Sequence, residues 1–113
     1  MAANAGIAVK VLPEIILDEI FCLSNQVNDV IIDHLCSDIE QCGYAIRNIL
    51  NLDCSIIFKA TANIDSEIVV EIRIDRIFRT FEVVGRTSDF TVLPINGSWD
   101  DILIYLQKLV DGT

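Results

Sequence analysis

Residues 54–84 read CSIIFKATANIDSEIVVEIRIDRIFRTFEVV, and this stretch decides the fold. Its apolar residues recur at every second position, the period of a strand with one face buried. Cys54, Ile56, Phe58 and Ala60 share one side, with Ser55, Ile57 and Lys59 opposite. Ile68, Val70, Ile72 and Ile74 repeat the pattern, with Glu67, Val69, Glu71 and Arg73 opposite. A third run sets Ile77, Arg79, Phe81 and Val83 against Phe78, Thr80, Glu82 and Val84. Thr61–Asp65 and Asp75-Arg76 supply the turns. Parity fixes the faces: a slip by one residue would bury Thr80 and Glu82. The tightest register pairs Ile74 with Ile77 and Phe58 with Ile68.

Working outward, Gly85–Asp89 predicts a turn and Phe90–Leu93 a fourth strand that Pro94 ends. Asn96-Gly97 then turns into a helix. Ser98 with Asp101 resembles a capping box, and Trp99, Ile102, Leu103, Leu106, Leu109 and Val110 form its apolar face.

On the N-terminal side, Ile32, Leu35, Ile39, Cys42, Ile46 and Ile49 are spaced 3, 4, 3, 4, 3. That spacing predicts one long helix from about residue 26 to 50, capped by Asn28-Asp29 and ended by Asn51. Gly43 beside the seam would allow a close contact there. Pro13 starts an earlier helix that Ser24-Asn25-Gln26 interrupts or bends. Ile7–Leu12 alternates as a short strand, and residues 1–6 read as disordered. The expectation is a single α+β domain over 7–113, built in two layers. A four-stranded antiparallel meander carries the N-terminal helices and the C-terminal helix on one face. The α-β-β-β-α run resembles the element order of a double-stranded-RNA-binding domain. The charge and the lack of a basic helix start speak against that activity.

The chain of 113 residues is 52% hydrophobic with a mean hydropathy of +0.49, yet its net charge is −9. A body of this size buries about two-thirds of its unfolded surface. The surplus apolar area therefore points to contact with a protein partner or a second copy, as a homodimer. Seventeen acids against eight bases argue against nucleic acid, whose phosphates demand Lys and Arg. Scattered carboxylates fit a solvated surface or an acidic inhibitor. No charge-free run has the length of a membrane span. Met1–Gly6 lacks a basic leader, so the expectation is a cytoplasmic protein with reduced thiols.

Groups for chemistry are sparse. His34 is the sole histidine, with Asp38 one helical turn on; carboxylates near a helical histidine are commonplace. His34, Cys36 and Cys42 lack a Cys-x2-Cys knuckle, and positions 34 and 36 point about 200° apart on a helix. No metal and no cofactor is expected, and no catalytic residue. Nucleotide-loop and hydrolase motifs are absent. Arg79 stands out on an apolar strand face; with Arg73 and Arg86 it forms a candidate anion receptor. On the far side of the sheet, Ile57, Val69, Phe78 and Val84 interleave with charges, as at a protein contact. The reading is a non-enzymatic acidic interaction module: an inhibitor, an immunity or anti-defence factor, or a dedicated chaperone. The alternative is a small-ligand binder that holds a phosphate or carboxylate with those arginines.

Overall fold

Gly43 is where the helical part of the chain gives way to the sheet. The structure, a computed structural model, describes residues 12–87 and 95–111. Asn28 caps α2 (Asp29–Gln41) with its side chain, accepting from the Val30 amide at 2.7 Å. Cys42 closes that helix, and Gly43 follows with φ +99°, a left-handed conformation that suits glycine and ends helices. Tyr44–Asn51 then forms strand β1 rather than the last turns of a long helix. The predicted helix through Asn51 is therefore corrected.

The cause of the misreading is a β-bulge. β1 pairs antiparallel with β2 (Ser55–Ala62), and the register shifts between Ile46 and Asn48. Ile46 faces Ala60 and Ile49 faces Phe58, so both point to the same side although they are three residues apart. An extra residue in a strand gives that odd spacing. It imitates the next step of a helical seam.

The sheet continues through β3 (Val69–Asp75), β4 (Thr80–Arg86) and β5 (Ile95–Gly97) in the order β1-β2-β3-β4-β5, antiparallel throughout. It thus has five strands where four were expected. β1 is the addition. The predicted strand Phe90–Leu93 lies outside the described residues, as do residues 1–6 and Ile7–Val11. Both hairpin registers keep the predicted faces but differ by four residues, with Phe58 opposite Ile72 and Ile74 opposite Phe81. The loops are longer than the tightest pairing allows. Asp75 explains one: its Oδ1 accepts the amides of Ile77 and Phe78, each at 2.9 Å, and folds residues 76–79 into a loop. Arg79 sits there at φ +58°.

Ile56, Phe58, Ala60, Val70, Ile72, Ile74 and Val83 are fully buried on the inner sheet face. Against it pack α2, through Ile32, Leu35 and Ile39, and α3 (Trp99–Val110), through Ile102 and Leu106. The capping box of Ser98 and Asp101 is formed in both directions. Tyr44 donates its hydroxyl to the Leu106 carbonyl at 2.8 Å, tying β1 to α3. Gly85 lets α3 approach β4: a Cβ there would stand 2.7 Å from Leu109 and 2.8 Å from the Tyr105 hydroxyl. A short helix, α1 (Glu14–Ile20), covers one end, where Phe21 meets the Phe81 ring edge-on at 5.6 Å. The result is an α+β fold with helices on one side of an antiparallel sheet. No helix among the described residues is long and apolar enough to cross a membrane.

Candidate functional site

The other sheet face carries the residues singled out from the sequence. Register arranges them in rows across the strands. Leu50, Ile57, Arg73, Glu82 and Asn96 form one row, next to the end row of Ser55, Asp75 and Thr80 at the β1–β2 turn and the β3–β4 loop. Asn48, Lys59, Glu71 and Val84 form the next, then Ala45, Thr61, Val69 and Arg86. Rows lie about 7 Å apart.

Ile57, Val69 and Val84 are thus on one surface and half-buried. Phe78 is not on it. It stands in the β3–β4 loop, 77% exposed, beside Ile77. The arginine trio does not converge either. Arg73 is an ion-pair partner of Glu71, with Nη2 3.4 Å from Oε2. Arg86 lies four residues away along the sheet, roughly 14 Å. Arg79 is in the loop rather than on a strand, so its place on an apolar face was an artefact of the tight register.

The surface divides into unlike halves. Near the turns, Leu50 and Ile57 are cross-strand neighbours, and Arg73 is matched by Glu71 and Glu82. Leu52, Ile77 and Phe78 lie at this end, all exposed. At the opposite end, Arg47, Lys59 and Arg86 are exposed around Thr61, Val69 and Val84. Arg47 donates Nε to the Thr61 hydroxyl at 2.9 Å. A depression of about 300 Å³ lies here, lined by Lys59, Val69, Val70, Glu71, Val84 and Arg86.

Arg76 organises the turn end from within. It is 1% exposed. Its guanidinium donates to the carbonyls of Ile20 at 2.6 Å, Asp53 at 2.8 Å and Asn25 at 2.6 Å, and also to that of Cys22. One planar fork thereby joins the α1–α2 connection, the β1–β2 turn and the β3–β4 loop. Sequence reasoning missed this role, because a lone Arg beside a turn reads as surface charge. Arg47 and Leu50 were missed because they sit in the stretch read as helix.

His34 is exposed, with Nε2 3.9 Å from the Asp38 carboxylate, and no nucleophile is placed between them. The four cysteines are free. Burial pushes the Cys36 thiol up to about 11, so it is protonated at neutral pH. Hydrogen bonding to Ser24 draws the Cys22 thiol down; the two side chains are 3.0 Å apart. No cluster of three or more His, Cys, Asp or Glu side chains suited to a metal ion occurs among the described residues.

Comparisons of the chain with protein-family models, with curated proteins and with solved structures found no match.

Proposed function

We propose that this protein is a non-enzymatic interaction module that acts as a homodimer through the turn-end half of its uncovered sheet face and the Ile77-Phe78 loop. The observation that carries the reading is the exposure of Phe78 on a loop fixed at its base by the buried Arg76 and by Asp75. A large apolar side chain on a braced loop is the usual form of an interface anchor, since little order is lost when it is covered.

Area supports including the loop. Four strands of about seven residues present roughly 19 by 23 Å, or about 450 Å² per face. The turn-end halves of two such faces bury only about 450 Å² in total, well short of the ~1,000 Å² that a specific interface clears. The exposed side chains of Leu52, Ile77 and Phe78 beside that half are needed to make up the difference. At this end Arg73 offsets one of the two neighbouring carboxylates, Glu71 and Glu82, which limits the repulsion between two copies of an acidic chain.

Light scattering on the purified chain tests the reading. A mass of about twice the 12.6 kDa chain is expected, falling to one chain mass in Phe78→Asp and in Ile57→Glu. A wild-type monomer at millimolar concentration removes the dimer. The role as an inhibitor, immunity factor or chaperone then rests on a stoichiometric partner recovered with wild type and lost with Phe78→Asp.

A further inference from the structure

We propose a binding site at the opposite end of the same sheet face for a small anion carried on an apolar body, a phosphate or carboxylate attached to an aromatic or short aliphatic group. The site is the depression lined by Lys59 and Arg86, and it does not depend on the dimer.

The first argument is the distribution of charge. The chain has only eight basic residues against seventeen acids. Two of the eight, Lys59 and Arg86, line this depression, Arg47 stands outside the lining at its bond to Thr61, and Glu71 is the one carboxylate in it. Glu71 is already engaged by Arg73 from the neighbouring row. None of Arg47, Lys59 and Arg86 makes an ion pair among the described residues. The next carboxylate along, Glu67, lies in the loop before β3 and outside the lining, its amide bonded to Asp65. Lys59 is on β2 and Arg86 on β4, flanking β3, with Cα atoms roughly 12 Å apart, and Glu71, the cross-strand neighbour of Lys59, is turned to Arg73 instead. Arg47 is held over β2 by its bond to Thr61.

The second argument is the floor. Val69 and Val84 are half-buried between the cations, and β3 and β4 bring them onto adjacent rows. A bare anion would gain nothing from them. An anion with an apolar body would cover them while its charge met guanidinium and ammonium groups at the rim. The volume of about 300 Å³ is at the lower end for small-molecule sites and fits a body of about ten heavy atoms.

Phenyl phosphate is the probe, with inorganic phosphate and benzyl alcohol as the halves of its chemistry. Melting temperature and titration calorimetry are read on the full chain in low salt. Phenyl phosphate is expected to raise the melting point by roughly 5 °C at saturation. Inorganic phosphate should give a smaller rise and benzyl alcohol none. Arg86→Gln and Lys59→Gln should each weaken phenyl phosphate at least fivefold, while Arg79→Gln leaves it unchanged. All three positions are exposed, so the fold survives the changes. No shift with phenyl phosphate, or equal shifts in wild type and in Arg86→Gln, overturns the site. Co-sedimentation with phosphatidylglycerol vesicles in the absence of any response to phenyl phosphate also overturns it, and assigns the cations to a lipid surface instead.

Discussion

The carboxylate of Asp38 on α2 accepts the indole N–H of Trp99 on α3, Oδ2 to Nε1 at 2.9 Å, with both side chains buried. This bond joins the two long helices on the inner face of the sheet. Trp99 also leans on Phe81 of β4 at 5.8 Å, and Phe81 in turn meets Phe21. One contact chain thus runs from α2 through α3 and the sheet to the end of α1.

Loss of the Asp38 acceptor strands a buried indole donor. Asp38→Ala should cost about 2–3 kcal/mol, within the range for an unsatisfied group bonded to a charge. Trp99→Phe removes the donor together with some packing. A double-mutant cycle in urea should give a coupling of about 1–2 kcal/mol. A coupling near zero would mean that the bond adds no stability of its own.

Arg76 makes the second prediction. Lysine offers a point charge in place of a planar fork and cannot serve four carbonyls spread over three segments. Arg76→Lys should destabilise by about 2–3 kcal/mol, and Arg76→Ala by about 3–5 kcal/mol. Hydrogen exchange on the lysine variant should speed up in residues 20–25, 52–55 and 76–79 before the core strands. Uniform acceleration across the sheet would refute the idea that this side chain is a local brace.

Alkaline stability follows from Tyr44. Its hydroxyl is buried and its pKa is raised, chiefly by desolvation. A phenol raised in the folded state holds its proton longer than in the unfolded chain. Its contribution is therefore fully present below the unfolded value of about 10 and declines as pH rises above it. Unfolding free energy should fall above pH ~10, and Tyr44→Phe should flatten that fall while lowering stability at pH 7 by about 1 kcal/mol through loss of the bond to Leu106. Tyr105, also raised by burial, leaves a residual slope. An identical slope in wild type and Tyr44→Phe would assign the effect elsewhere.

Much of the architecture was legible in the alternation over 54–84, because a half-buried strand writes its period directly into the chain. The faces of β2, β3 and β4 followed from parity alone. The exact pairing did not, because loop length depends on local bonds such as those of Asp75, which leave no periodic trace. Tyr44–Asn51 was lost for another reason. Its bulge spaces Ile46 and Ile49 as a helix would, and the decisive mark, Gly43 in a left-handed conformation, is one residue. The site was legible in composition but not in membership. Lys59 and Arg86 share a surface with Val69 and Val84 because of register, while Arg79 departs from it because of a turn.

The bulge at Arg47 has one more consequence. β1 is the long outer strand of the sheet, and a regular outer strand offers a template on which further chains can hydrogen-bond into a growing ribbon. An inserted residue puts the donors and acceptors out of step, and the Arg47 guanidinium adds charge at the same point. Lateral polymerisation along this edge is thereby discouraged.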